Sequence, residues 1–219
     1  MCNFAHRNNN HLSKLLMKRS FFIMTALALM TAAQGKKVTI EGTSSSERMY
    51  LIINEDTEHA QLLDIQDGKF SVTVNVDRNT FIRLQESKTY PRRAAAVLIP
   101  DSKHITVDTD NRFIQNSSKS KELRRLCMEM ESNSPESFHV DVFSQDPQAW
   151  KEARERENAI HESMRNYQRD TFKQLLLKDK NNIMLAWLAY CYPEIMEGEL
   201  QAMVDEMKPK WINHPILKK

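Results

Sequence analysis

Two cysteines, Cys127 and Cys191, are the side chains of this 219-residue chain best suited to covalent chemistry. A thiol pair can cycle between dithiol and disulfide, and a lone thiolate can act as a nucleophile. Neither has a partner at redox-motif spacing, because Met130 and Glu194 stand three residues on. Both fall on apolar helix faces, so a disulfide and a pair of buried free thiols are both open readings. The histidines His59, His104, His139, His161 and His214 are the other candidates. A metal site needs several ligands at workable spacing, such as i,i+4 on a helix. His161 has no second histidine one turn on, and His139 with Asp141 lacks a third ligand. The carboxylate pairs Asp108/Asp110 and Glu194/Glu197 would need to face each other across a cleft to divide acid and base roles. Scattered surface acids are the ordinary expectation. The serine runs at 44–46 and 117–118 lack the Gly-x-Ser-x-Gly elbow and read as a linker and a helix start. With four glycines in all, there is no Gly-rich loop to cradle a phosphate. We expect no catalytic residue, cofactor or metal.

The elements that must position these residues change character near residue 115. Before it, apolar residues alternate with period two. Strands are expected over 38–42, 49–53, 62–65, 70–76, 81–85, 94–99 and 105–107. Asp67-Gly68 is the strongest hairpin signal, because both residues tolerate positive φ. Short strands at this spacing predict an antiparallel β-sandwich or open barrel. After residue 115 the period is helical. Leu123, Leu126, Cys127 and Met130 mark one helix face. Asp146-Pro147 starts a long helix with Trp150, Ala153, Ile160, Met164, Tyr167, Thr171 and Leu175 on one side. Asn181-Asn182 ends it, 183–192 is a short apolar helix stopped before Pro193, and Gly198 precedes a last helix with Leu200, Met203, Val204 and Met207. The fold class is therefore α+β: a sheet domain over 34–114 and a helical region over 115–219. Trp150, Trp187, Trp211 and Met184, Met203 and Met207 are expected to be core rather than the lining of a ligand groove. Lys208-Pro209-Lys210-Trp211 is a candidate exposed contact.

Residues 17–33 have the three-part layout of a secretory signal peptide. Lys18 and Arg19 open it, an apolar run from Phe21 to Met30 follows, and Thr31-Ala32-Ala33 supplies small residues for cleavage between Ala33 and Gln34. The apolar run is shorter than the roughly 20 residues a bilayer span needs. Residues 1–16 are polar and Asn-rich, unlike a signal start, which makes Met17 the expected initiation point and 1–16 an upstream extension. Residues 1–33 carry four basic residues (Arg7, Lys14, Lys18, Arg19) and no acid, so the chain's 31 basic and 29 acidic residues become 27 and 29 once they are removed. That balance argues against a nucleic-acid partner, which would call for a basic stripe.

The order of these parts resembles a known family. A signal peptide leads into strands at 38–42 and 50–54, the Asp67-Gly68-Lys69-Phe70-Ser71 turn, strands at 97–100 and 105–108, and a Ser-rich approach to the Leu123/Leu126 helix. This resembles the N-terminal domain of unknown function, with its helical linker, that precedes the thioredoxin-like domain in exported TlpA/ResA-type thiol–disulfide oxidoreductases. The resemblance implies a periplasmic or envelope location and an envelope partner, such as a thioredoxin-like protein. The family's redox site is a Cys-x-x-Cys in the downstream domain, and it maps to no residue here.

Three functions follow as expectations. The first is an exported, non-catalytic interaction or scaffold module with no stable membrane span after cleavage. The second is a truncated or split oxidoreductase lacking its thioredoxin domain. The third is a binder of an apolar ligand between sheet and helices.

Overall fold

The computed structural model describes residues 35–88, 95–132 and 147–218. The 1–16 extension, the leader at 17–33 with Ala33 and Gln34, the His139/Asp141 pair and the Asp146 cap lie outside the described residues.

Alternating side chains build the described strands: β1 (Lys36–Thr43), β2 (Tyr50–Ile53), β3 (Gln61–Leu62), β4 (Lys69–Val76), β5 (Ile82–Gln85), β6 (Ala96–Leu98), β7 (His104–Asp108) and β8 (Phe113–Gln115). They form two four-stranded sheets, ordered β4-β1-β7-β8 and β3-β2-β5-β6. The register sets Val38 opposite Val74 and Ile40 beside both Val72 and Ile105. The facing sides meet in one apolar cluster that includes Val38, Ile40, Leu51, Leu84, Ile105 and Val107. Each such burial contributes roughly 1.5–3 kcal/mol.

The sheets depart from the sequence reading in three places. First, β1 and β7 run parallel, so the sandwich is not antiparallel throughout. The long excursion through the second sheet supplies the crossover that a parallel pair requires. Second, the strand expected over 62–65 shrinks to Gln61–Leu62, while Leu63 is buried just past its end. The chain then changes sheets through Asp67 and Gly68, at φ 51° and 71°, with Gln66 and Lys69 exchanging two 2.9 Å backbone hydrogen bonds. Third, β8 was not expected. It has three residues with an outward Phe113, too short to show alternation.

Four helices are described: α1 (Ser118–Ser132), α2 (Pro147–Lys178), α3 (Met184–Cys191) and α4 (Glu199–Met207). The start of α1 is tied to the sheet. Ser117 Oγ accepts the Ser120 N–H at 3.1 Å, and Asp101 of the β6–β7 turn accepts the Lys119 N–H at 2.8 Å. Burial alone would raise the Asp101 carboxyl, but hydrogen bonds from the Lys119 N–H and the Ser117 and Ser118 hydroxyls outweigh it and hold it below the usual range.

Helix α3 is buried from Met184 to Ala189, so it serves as the centre of the helical layer. A second cluster gathers around it and takes in Phe81 and Ile99 from the sheet region. On α2 the buried line is Gln168, Phe172 and Leu176, one position away from the expected stripe at Met164, Thr171 and Leu175, which is half-buried. A buried glutamine is invisible to a reading based on apolar period. Among the described residues of α2, none before Gln168 is buried. Trp211 is 2% exposed and donates its indole N–H to the Lys180 carbonyl at 2.9 Å. The expected exposed contact at 208–211 is therefore corrected: its aromatic residue is core, packed edge-on to Phe172 at 5.8 Å.

Arg83 and Val97 alternate with the inward-facing Ile82, Leu84, Ala96 and Leu98, so they point away from the sandwich and toward the helices. The architecture is three layers: sheet, sheet, helices. Among the described residues no helix is long and apolar enough to cross a membrane.

Candidate binding cleft

Where the middle sheet meets the helical layer, packing leaves a cleft of about 290 Å³. Helix periodicity explains its longest wall. Leu123, Leu126 and Met130 of α1 turn to the core. The adjoining stripe of Arg124, Cys127, Met128 and Glu131, at i, i+3, i+4 and i+7, borders the cleft. Opposite it stand Trp187, Tyr190 and Cys191 of α3, with Tyr192 just beyond the helix end. The sheets contribute Arg83, Val97 and Ile114, and the β7–β8 turn adds Arg112. The lining is mainly apolar and aromatic, with charge at a few points, the usual make-up of a ligand site.

One ion pair forms the polar anchor of this region. Arg83 Nη2 lies 2.7 Å from Glu55 Oε2, with side-chain exposures of 11% and 5%. The Tyr190 hydroxyl donates to the same Glu55 oxygen at 3.2 Å. Burial, then the Glu55 charge, pushes the Tyr190 phenol up. The Nε atoms of Arg83 and Arg124 are buried without a hydrogen-bond partner among the described residues. Arg124 and Arg112 have no carboxylate partner there either, whereas Arg125, on the outer side of α1, is held by Glu122 and Glu129.

The structure brings Cys127 and Cys191 into this one cleft, from facing helices, as unjoined thiols. The expectation of two buried thiols is half corrected. Cys127 is partly buried, but Cys191, the last residue of α3, is exposed at the mouth of the cleft. Its surroundings are nonetheless dense, and burial is the leading cause that pushes both thiols up to about 12. Nearby negative charge adds to this: Glu131 for Cys127, and the Cys127 thiolate, once it forms, for Cys191. A folded-state value above the ordinary 9.0 has a defined sign. The native state keeps protons that the unfolded chain surrenders, so this share of stability is present below pH 9 and is lost as pH rises toward 12. The guanidinium unfolding midpoint is expected to fall between about pH 8 and about pH 10, and to fall less in Cys127→Ala/Cys191→Ala. Equal pH dependence in the two proteins would assign the effect elsewhere. Alkylation by iodoacetamide at neutral pH is expected to be slow in the native protein and fast after unfolding.

Of the other sequence candidates, Asp108, Asp110 and His214 hold parts of the fold together. Asp108 accepts from the Asp110 and Asn111 backbone and the Asn111 side chain, and those bonds keep its carboxyl low. Asp110 accepts from the Ser45 N–H and hydroxyl, joining the serine linker to the β7–β8 turn. His59 sits 2.9 Å from Asp56, and His161 is 3.8 Å from Glu157, both in the open. His214 is buried edge-on to Phe81 and meets the Asn79 carbonyl, and burial keeps its imidazole below the ordinary value. Among the described residues no cluster of three or more His, Cys, Asp or Glu could hold a metal ion. Sequence reading missed Arg83, Arg112, Arg124 and Glu55. An arginine in the middle of an apolar strand was the available signal for the first of them.

Comparison with family models, with curated proteins and with solved structures returns no match to this chain.

Proposed function

We propose that the chain is an exported, non-catalytic binding module whose working part is the cleft between the middle sheet and the helical layer. The observation that carries this reading is the cleft itself. Trp187, Tyr192 and Met128 border an opening that the core has not closed, although Leu123, Leu126 and Leu188 are buried close beside it. The export part of the reading rests on the signal-peptide layout of 17–33. The volume sits at the low end of ligand pockets, roughly 300–1,000 Å³, so the occupant is a small molecule.

Met128 reaches the cleft from an exposed position, 53% accessible, so it can be enlarged without disturbing the core. The mature protein is expected to enhance the fluorescence of the neutral probe N-phenylnaphthylamine at one site per chain. Met128→Trp, with an unchanged melting temperature, is expected to abolish most of that enhancement. No enhancement by the wild-type protein, or full enhancement by the variant, would remove this reading.

Docking of a thioredoxin-like envelope partner is the second reading, and the pair of thiols in one cleft is what favours it. Their raised pKa weighs against ready exchange at neutral pH.

A further inference from the structure

We propose that the cleft takes a small amphiphilic carboxylate, with its apolar tail between α1 and α3 and its carboxylate at Arg124 and Arg112. This rests on the reading of the cleft as a binding site and names the chemistry of its occupant.

The charge distribution carries the argument. Three arginines border the cleft, and Glu131 is the one carboxylate among the described lining residues. Arg83 is already neutralised by Glu55. Arg124 and Arg112 have no such partner among the described residues, so the described lining carries a net positive charge. Glu131 is seven residues along α1 from Arg124, roughly 10 Å at 1.5 Å per residue. Arg124 and Glu131 are therefore held apart along this wall of the cleft. Lys121, which borders the shallow hollow next to Arg124, adds to the positive charge there.

The arrangement of Arg124 narrows the choice of anion. Its Nε is buried and has no acceptor among the described residues. A guanidinium offers paired N–H groups that match a carboxylate edge. The apolar walls, formed by Leu123, Met128, Ile114 and Trp187, have nothing to offer a polar tail. The matching molecule has an acidic head and a hydrocarbon or aromatic body.

Two ligands of equal tail test this: octanoate and octanol, each measured by displacement of N-phenylnaphthylamine from the mature protein. Octanoate is expected to bind about tenfold more tightly than octanol, the size of one charge-assisted hydrogen bond. Arg124→Met keeps the apolar stem and is expected to remove most of that preference, with octanoate losing several-fold more affinity than octanol. Arg124→Lys is expected to restore part of it. Raising salt is expected to weaken octanoate alone. Equal binding of octanoate and octanol would overturn the carboxylate assignment while leaving the cleft a binding site. Displacement by neither would overturn the amphiphile assignment, whereas no enhancement of the probe by the wild-type protein would remove the binding site itself. Tighter binding of a short peptide with a free C-terminal carboxylate than of octanoate would overturn the small-molecule assignment in favour of a protein partner.

Discussion

Glu55→Ala is expected to lower the unfolding free energy by about 3–5 kcal/mol, the cost of breaking a buried ion pair from one side. The carboxylate is 5% exposed and lies 2.7 Å from Arg83. Removing it leaves a guanidinium charge beneath the helical layer and deprives the Tyr190 hydroxyl of its acceptor. Adding Arg83→Met is expected to recover most of the loss, because no uncompensated charge then stays buried. Guanidinium unfolding of the two single variants and the double variant measures the coupling. A loss below about 1 kcal/mol for Glu55→Ala would mean that water reaches the pair, as in exposed ion pairs. The consequence for the cleft is direct: Arg83 is a structural charge, and anion recognition falls to Arg124 and Arg112.

Gly42→Val is expected to lose about 3 kcal/mol or more, at the severe end of overpacking. A Cβ at Gly42 would lie 2.3 Å from the Val107 carbonyl oxygen and 2.6 Å from Phe70 Cζ. The phenyl ring could turn aside, but the carbonyl belongs to β7, which is hydrogen-bonded beside β1. With β4 paired on the other side, β1 has nowhere to move. A fall in melting temperature of about 6–12 °C follows from the usual 2–4 °C per kcal/mol for a domain of this size. Phe70→Leu is not expected to rescue the variant, since it leaves the backbone clash in place. A melting temperature within about 2 °C of wild type would show that the strands separate more easily than their pairing indicates.

Gly42 also illustrates how far sequence reading goes. A glycine at the close of an alternating run reads as a stop. The strand in fact continues to Thr43, and the glycine is there because Phe70 and β7 crowd that point. The packing of a residue 65 positions further along supplies the reason. Asp67-Gly68 is the opposite case. Its turn depends on the φ preferences of two adjacent residues, and it forms as expected. Even so, the strand before that turn joins the other sheet, a choice made by pairing with β2 rather than by the turn.

The same division holds for the cleft. That Cys127 lies on the α1 face and Cys191 at the end of α3 follows from helical period, which is local. That these faces oppose each other over Arg83, with Arg124 and Glu131 held apart along one wall, depends on how two helices settle on a sheet.

Sequence alone determined the α+β class, the places of the longer strands and helices, and the tight turn at residues 67–68, though not a hairpin across it, because each depends on residues a few positions apart. Tertiary structure decided the parallel β1–β7 pair, the buried Glu55–Arg83 charges and the cleft between the layers. Those depend on which surfaces meet, and contacts between residues far apart in the chain leave no period in the sequence for a local reading to detect.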